Sequence, residues 1–242
     1  MKLFGKNPAI ERLRSNPKSI RKIHLEQGFK DSAVIYKKAK LHNIPVYIMP
    51  KSKMQKVGRH ANSQGVVVDV VDYEYQPYKD LLEYALKKGR TLVFLDRLND
   101  PQNLGAILRS LACLGKFSVV LPTHDSVSVT EAVLRVASGG DNHVPIAKVS
   151  NLKKAIREAQ KEGFQIMGAF VDGDQPLDEI IFPHRLGVVI GSEQSGISDV
   201  IRKQVDLKIM IPMHTESLSF NAAHATSIIC YEITKQKNSK KS

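Results

Sequence analysis

The sequence predicts an α/β fold, in which helices cover both faces of a mainly parallel sheet. Short apolar runs rich in β-branched residues, such as residues 91–95 and 187–190, are typical of buried strands. Amphipathic stretches such as residues 78–88 separate these runs, and strands that alternate with helices favour a parallel sheet. The 242 residues are 42% hydrophobic, which is enough for one large or two small domains.

Residues 1–75 are predicted to form a small α/β module. Asn7 and Pro8 are expected to open a helix that ends near residue 15, because asparagine caps helices and proline suits the first helical position. Asp31 is expected to cap a second helix, which runs to residue 42. The other predicted elements are strands over residues 19–25, 44–49 and 65–71 and a short helix over residues 52–57.

Residues 76–242 are predicted to form the second, larger domain, after a linker over residues 73–77 that contains a proline and lacks apolar periodicity. Its helix over residues 101–114 has a clear start, since Asp100 can cap it and Pro101 suits its first position. Its other predicted helices cover residues 78–88, 130–137, 151–162, 199–204 and a stretch from about 219 to 236. Its predicted strands cover residues 91–95, 117–121, 144–149, 165–170, 187–190 and 207–212.

The net charge of +12 is concentrated in the first module. Residues 1–75 hold 15 Lys and Arg against 6 Asp and Glu, a net of +9, whereas residues 76–234 hold 17 against 18. This segregation favours a nucleic-acid partner, although lysines can also serve solubility alone. The turn over residues 62–65 suits a plain turn or an RNA-contacting loop equally well. The candidate phosphate-contacting surface consists of Lys51, Lys53, Lys56, Arg59 and His60, with Arg12, Arg14, Arg21 and Lys22.

Several protein classes are disfavoured by what the sequence lacks. No apolar run approaches the roughly 18–20 residues that cross a bilayer, and the N-terminus has no signal-peptide core. Cys113 and Cys230 are isolated, so we expect no disulfide framework and a cytoplasmic location. We find no metal-ligand spacing, no Gly-rich phosphate loop and no Rossmann fingerprint, which argues against an ordinary nucleotide or NAD enzyme.

Two loops near the C-terminus form the main candidate site. Gly191 and Gly196 bracket Glu193 directly after the strand at residues 187–190, and Ser219 and Asn221 follow the strand at residues 207–212. Ligands of open α/β sheets bind at the carboxyl ends of strands, so we expect these side chains to lie together. The alternative is that the glycines only make tight turns and that Glu193 is solvated.

Asn103 and Arg109 lie on the helix that follows the strand at residues 91–95. Asn103 is expected in the first turn, near the strand end. Arg109 is six residues further on, about 600° of helical rotation, so it does not stack on Asn103 but can border the same cleft. The alternatives are a helix-start hydrogen bond for Asn103 and a surface ion pair for Arg109.

Three segments together resemble the SpoU/TrmH family of RNA ribose methyltransferases. They are residues 95–109, with the core Asp-Pro-Gln-Asn-Leu-Gly-Ala-Ile-Leu-Arg, residues 189–196, and Ile211-Pro212-Met213 followed by Ser219-Phe220-Asn221. Their order and spacing are highly specific, and the resemblance covers about residues 90–235. The basic module is similar to the ribosomal-protein-like extension of the branch that methylates a guanosine of 23S ribosomal RNA.

The resemblance implies a SPOUT fold, with a deep trefoil knot near the C-terminus, and a homodimer. It implies that S-adenosylmethionine lies in the knot, contacted by Gly191, Ile211 and Phe220. We expect no metal to take part, because the sequence has no metal-ligand set. The family's catalytic positions fall on Asn103, Arg109, Glu193, Ser219 and Asn221.

The chain departs from the family pattern near its last motif. The usual Ser-Leu-Asn-Val-Ser is replaced by Ser219-Phe220-Asn221-Ala222-Ala223, so the second serine hydroxyl is missing, and Thr215 and His224 are also unusual.

A guanidinium rarely deprotonates, so we expect Arg109 to act through its charge rather than as a base.

These observations lead to one principal hypothesis, methyl transfer from S-adenosylmethionine to a ribose 2′-hydroxyl of a guanosine in 23S ribosomal RNA. The alternatives are an enzyme acting on transfer RNA or on another ribosomal RNA nucleotide, and a non-catalytic RNA-binding factor in ribosome assembly.

Overall fold

The computed structural model describes residues 1–58, 63–215 and 218–239, whose strands and helices alternate along most of the chain. The strands are β1 Lys2–Phe4, β2 Ile20–Glu26, β3 Val46–Met49, β4 Val66–Val70, β5 Thr91–Leu95, β6 Phe117–Pro122, β7 Ile146–Val149, β8 Gln165–Ala169, β9 Gln175–Pro176, β10 Leu186–Ile190 and β11 Leu207–Met210. The α-helices are α1 Lys6–Ser15, α2 Ser32–Leu41, α3 Lys51–Val57, α4 Tyr78–Lys88, α5 Pro101–Leu114, α6 Glu131–Ala137, α7 Leu152–Lys161, α8 Asp199–Arg202 and α9 Ala222–Ser239.

The larger sheet has seven strands in the order β7-β6-β5-β10-β8-β11-β9. Its strands pair in parallel. Alternate residues of β5 enter different core clusters, Val93 and Leu95 on one face and Leu92 and Phe94 on the other. A parallel strand buried on both faces needs a continuous apolar run, which is the pattern that the sequence shows. The predicted α/β fold with a mainly parallel sheet is therefore confirmed.

The smaller sheet has four strands in the order β1-β4-β2-β3, and only β2 and β3 pair in parallel. The edge strand β1 was not predicted, because a three-residue strand has too little periodicity to stand out. The predicted start of the first helix is wrong, because α1 begins at Lys6 after Gly5 and not at Asn7 and Pro8. Asp31 occupies the N-cap position of α2 as predicted, but its side chain makes no capping hydrogen bond and instead pairs with Lys6 at 2.9 Å.

The predicted linker contains no helix or strand but is not a free tether. Tyr73 and Tyr75 pack against the main core cluster, and the Gln76 backbone N–H donates to the Ile146 carbonyl at 2.9 Å. The division into residues 1–75 and 76–242 stays a prediction.

A buried ion pair joins the region of α1 to the segment that follows α6. Arg12 donates to the Asp141 carboxylate, and both residues are only 5% exposed. Next to this pair, His143 Nε2 lies 2.7 Å from the Glu11 carboxylate. Arg12 is thus withdrawn from the surface, and its predicted role in phosphate contact is wrong, because the guanidinium is paired inside the protein.

The remaining residues of the candidate phosphate-contacting surface divide into two groups. Arg59 and His60 fall outside the described residues. The others are exposed: Arg14, Arg21, Lys22, Lys51, Lys53 and Lys56. In the described ranges, no helix is both long and apolar enough to cross a membrane.

The buried ion pair leads to a stability prediction. Asp141→Asn should lower the free energy of unfolding by roughly 3–5 kcal/mol, because it leaves the Arg12 charge buried without its partner. Asp178→Asn changes an exposed carboxylate in the same way and should alter stability by less than about 0.5 kcal/mol. Denaturant unfolding of both variants measures the difference. Equal stability of the two variants would contradict the importance of the pair.

Candidate functional site

The site forms where β5, β10 and β11 end. Asn103 lies in the first turn of α5, whose start is set by Asp100, since its carboxylate accepts the Gln102 N–H at 2.8 Å. Glu193 lies in the loop after β10, which pairs in parallel with β5. Asn221 immediately precedes α9. Parallel strands bring their carboxyl ends to one edge, so the three side chains meet there as predicted.

Glu193, Asn103 and Asn221 form one hydrogen-bonded cluster. Asn221 Nδ2 donates to Asn103 Oδ1 at 2.8 Å and to Glu193 Oε1 at 2.7 Å. Asn103 Nδ2 donates to the same Glu193 oxygen. The Asn221 Oδ1 atom accepts the Ala223 N–H at 2.8 Å and so caps α9. Two amides therefore hold the carboxylate, and each amide is fixed by the start of a helix.

The cluster borders a cavity of about 300 Å³. The predicted cofactor residues Gly191, Ile211 and Phe220 all line it, together with Glu193 and Ser219. Other parts of its wall are apolar, from Phe170, Ile197 and Ala222, or charged, from Asp172 and Arg202. The structure thus brings seven of the eight predicted site residues to this cavity or to the cluster at its border.

Gly191 is required by a close backbone approach. A Cβ atom on Gly191 would lie 2.1 Å from the carbonyl carbon of Gly196 and 2.3 Å from the nitrogen of Ile197. The turn closes through the Gly196 N–H, which donates to the Ser192 carbonyl at 2.9 Å. The loop therefore folds back on its own backbone, which only glycine permits at this position.

Arg109 is the exception among the predicted site residues. It is exposed on α5 and lines a separate groove of about 550 Å³ with Cys113, Ile228 and Tyr231. In the described part of one chain it lines neither the cavity nor its rim. Its backbone is packed against Gly140, whose missing Cβ would lie 2.9 Å from Arg109 Cα. The six-residue offset thus carries Arg109 away from Asn103, and the expected shared cleft does not form within one chain.

The residues that depart from the family pattern have clear places in the structure. Ala223 is buried and contributes only its backbone N–H to the Asn221 cap, so a serine hydroxyl there would point into the core. Phe220 is 43% exposed and forms part of the cavity wall. His224 is exposed on α9.

Sequence reasoning missed Asp96 and Arg97, which tie the β5 loop to the β10 loop. The buried Asp96 carboxylate accepts the Ser198 N–H at 2.7 Å, and Arg97 Nη2 donates to the Gly196 carbonyl at 3.4 Å. The feature of the sequence that could have identified them is their position directly after the strand at residues 91–95.

Among the described residues, no group of three or more His, Cys, Asp or Glu side chains is placed to hold a metal ion.

Comparison with known proteins agrees with this geometry. Residues 90–231 match the model of the SpoU rRNA Methylase family. The chain belongs to the SpoU family. Residues 2–76 match a second family model, described as RNA 2'-O ribose methyltransferase substrate binding. The protein is therefore a member of a family of RNA methyltransferases, and its two matched regions coincide with its two sheets.

The chain is similar to several bacterial proteins over most of its length. A Staphylococcus epidermidis protein assigned to the TrmH family of tRNA/rRNA methyltransferases is 36% identical over 224 residues, 91% of this chain and 90% of that protein. The fold matches the SpoU methyltransferase AviRb from Streptomyces viridochromogenes, solved with AdoMet, with a TM-score of 0.80 at 21% identity, covering 99% and 91% of the two chains. It also matches an AdoMet-bound rRNA methyltransferase from Sinorhizobium meliloti, with a TM-score of 0.80 at 23% identity, covering 97% and 86%. These matches confirm the SPOUT fold, while the knot stays a prediction.

Asn221 both caps α9 and belongs to the hydrogen-bonded cluster, so its loss should cost more stability than the loss of a cap alone. Asn151 caps α7 through its side-chain oxygen, which accepts the Lys154 N–H at 2.9 Å, and within the described ranges it has no partner comparable to Glu193. Asn151→Ala should therefore cost about 1 kcal/mol, the usual loss of a cap. Asn221→Ala should cost more, because it also removes the bonds to Asn103 and Glu193. Denaturant unfolding compares them, and equal losses would mean that the cluster adds no net stability.

Proposed function

We propose that this SpoU-family protein transfers the methyl group of S-adenosylmethionine to a ribose 2′-hydroxyl of a guanosine in 23S ribosomal RNA. The observation that carries the proposal is the Asn103–Glu193–Asn221 cluster at the border of a cavity lined by Gly191 and Phe220. Membership of the family and the AdoMet-bound relatives of the same fold support it. An RNA substrate also agrees with the cytoplasmic location that the sequence leads us to expect.

The cavity suits S-adenosylmethionine in size and chemistry. Its volume of about 300 Å³ lies within the range of small-molecule pockets. Phe170, Ile211 and Phe220 offer an apolar wall, and the Glu193 carboxylate offers a negative charge. When bound, S-adenosylmethionine supplies an electrophilic methyl group on a positively charged sulfur.

The roles of the cluster follow from its hydrogen bonds. Asn103 and Asn221 fix the direction of the Glu193 carboxylate, so its free acceptor capacity is held in place. Glu193 and the Ser219 hydroxyl then orient the ribose at the rim of the cavity. Holding two reacting groups in the right geometry supplies much of the acceleration in such a transfer.

We assign Arg109 to the active site of a partner subunit. Its groove contains apolar surface from Leu114, Ile228 and Tyr231, and Tyr231 is 61% exposed. A homodimer that covers this α5–α9 surface would bury the exposed ring and carry Arg109 to the partner's cavity. There the guanidinium would stabilise the forming alkoxide or hold the neighbouring phosphate.

The first module is proposed to supply RNA affinity. Its net charge of +9 and its exposed cations, among them Arg21, Lys53 and Lys56, are suited to phosphate contacts. The match of residues 2–76 to a substrate-binding model supports this role. We therefore retain the division into an RNA-binding module at residues 1–75 and a methyltransferase domain at residues 76–242.

The proposal is tested by mapping the methylated nucleotide. The protein is incubated with labelled S-adenosylmethionine, a chelator, and either undermodified 23S ribosomal RNA or undermodified transfer RNA. We expect label on one guanosine ribose of the 23S RNA and no effect of the chelator. Label only on transfer RNA, or on another ribosomal nucleotide, would replace the substrate with that alternative. Cofactor binding without methylation of either RNA would favour a non-catalytic binding factor.

Mixed dimers test the role of Arg109. Arg109→Ala and Asn221→Ala homodimers should each lose most turnover, whereas Arg157→Ala, an exposed change on α7, should not. Mixing the two inactive subunits should restore roughly a quarter of wild-type activity, since half of randomly mixed dimers contain one complete site.

A second substitution at Arg109 distinguishes the effect of its positive charge from the effect of its planar shape. Arg109→Lys should keep much of the wild-type methylation rate if the positive charge alone matters. It should be as slow as Arg109→Ala if the planar guanidinium, with its two parallel hydrogen bonds, is needed. Near-normal turnover of Arg109→Ala in folded protein would remove Arg109 from the mechanism.

A further inference from the structure

A second cavity lies beside the proposed cofactor cavity and has no assigned role. It measures about 360 Å³ and is lined by Arg97, Asn99, Asp100, Asp125 and the turn at residues 192–195. These residues follow β5, β6 and β10, which are neighbours in the sheet. Ser192, Glu193 and Ser195 line both cavities. A molecule in the second cavity would therefore lie against the other side of the loop that carries Glu193.

Hydrogen bonds hold the walls of this second cavity in place. The Leu98 carbonyl accepts the Val127 N–H at 2.7 Å and the Ser126 hydroxyl at 3.3 Å, which joins the β5 loop to the β6 loop. The bonds from Ser198 to Asp96 and from Arg97 to Gly196 join the β5 loop to the β10 loop. Arg97 and Asp125 are thus brought to one cavity by loops that are tied to each other.

Both residues adopt a left-handed backbone conformation, which is unusual for arginine and less unusual for aspartate. Arg97 has φ 56° and Asp125 has φ 53°, in the left-handed region. This region is uncommon for residues other than glycine, and such residues concentrate at binding and active sites. This conformation is found in binding loops as well as in tight turns, so the case for a binding function rests on the cavity and its charges.

The charges of the cavity select the kind of ligand. Asp100, Asp125 and Glu193 face a single cation, Arg97, whose Nε also lies 4.0 Å from the Asp96 carboxylate. A phosphate would be repelled by this excess of carboxylates. A neutral group that both accepts from a guanidinium and donates N–H to a carboxylate would be favoured.

Of the three carboxylates, Asp125 is the one that neither the described structure nor the proposed ribose contact already uses. Asp100 is engaged as the cap of α5, and Glu193 accepts from Asn103 and Asn221. Across the described residues, the Asp125 carboxylate has no hydrogen-bond or ion-pair partner, and Asp125 is exposed. Arg97 is half-exposed, with a guanidinium that makes one long hydrogen bond, to Gly196 at 3.4 Å. The Arg97 guanidinium and the Asp125 carboxylate thus both have hydrogen-bonding capacity left for a ligand.

We propose that this second cavity holds the base of the nucleotide whose ribose is methylated, with Arg97 donating to a carbonyl oxygen and Asp125 accepting from the adjacent ring N–H. Guanine and uracil both present a carbonyl next to a ring N–H on their Watson–Crick edge. Adenine lacks the carbonyl, and cytosine lacks the ring N–H. Splayed-out bases of single-stranded RNA are commonly recognised on this edge. The inference rests on the proposed ribose methylation and adds how the acceptor base is chosen.

The test measures base preference rather than overall rate. Four RNAs that differ only at the mapped acceptor nucleotide are compared by kcat/KM, with wild type, Arg97→Gln and Asp125→Asn. Wild type should prefer guanosine or uridine, whichever it methylates naturally, over adenosine and cytidine. Each variant should reduce that preference on the order of 10- to 100-fold, the usual range for one base contact.

Two base analogues sharpen the guanosine case. Inosine keeps the carbonyl and the ring N–H and should remain a substrate, whereas 2-aminopurine lacks both and should be rejected. For a uridine acceptor, the comparison with cytidine serves the same purpose. Arg157→Gln and Asp178→Asn, exposed changes elsewhere, are the matched controls and should leave the preference unchanged.

The outcomes separate this inference from the function on which it rests. An equal fall in kcat/KM on all four RNAs would show that Arg97 and Asp125 only support the loops, and an unchanged preference in both variants would likewise overturn the base site. Calorimetry of S-adenosylmethionine binding should give the same Kd for Asp125→Asn, whose side chain does not line the cofactor cavity, as for wild type. If wild type methylated no ribose in any RNA, the proposed function would fail, and the base site with it.

Discussion

The parallel pairing of β5 with β10 is the constraint on which the site depends. Leu95 is paired with Ile190, so the two strands end at the same level. The chain after β5 turns into α5 and delivers Asn103, while the chain after β10 turns back at Gly191 and delivers Glu193. If the register between β5 and β10 slipped, the Asn103 amide and the Glu193 carboxylate would no longer meet. Asn221 completes the cluster from the start of α9.

A different kind of contact determines how the basic region lies against the larger sheet. The Arg12–Asp141 pair is buried, and taking two charges out of water costs much of what their attraction returns. The pair as a whole therefore adds little net stability, whereas removing one partner alone leaves the other charge buried and unpaired. The neighbouring Glu11–His143 contact reinforces the same arrangement at a more exposed position. A hydrogen bond from Ser15 and the contact with His143 hold the pKa of Glu11 below its usual range, so this carboxylate stays charged near neutral pH.

The parts of the structure that follow from local sequence were predictable. β5 and α5 have the predicted bounds because an apolar run, a capping Asp100 and a Pro101 specify them without help from distant residues. The meeting of Glu193 with Asn221 followed from a rule about strand ends. The burial of Arg12 and the outward position of Arg109 depend on which surfaces pack together, which the sequence pattern does not contain. Arg97 was missed because its importance comes from the loops around it rather than from its own neighbours in the chain.

The loop at residues 192–195 is a wall between two cavities rather than the edge of one. The hydroxyl oxygens of Ser192 and Ser195 lie 2.9 Å apart, so a hydrogen bond joins the two ends of this wall. A ligand that shifts this wall from one side changes the volume left on the other. Coupling between two binding sites is reciprocal. If S-adenosylmethionine in the cofactor cavity changes the affinity of the second cavity for its ligand, that ligand changes the affinity for S-adenosylmethionine by the same factor. The affinities of the two cavities for their ligands are then linked through one short turn.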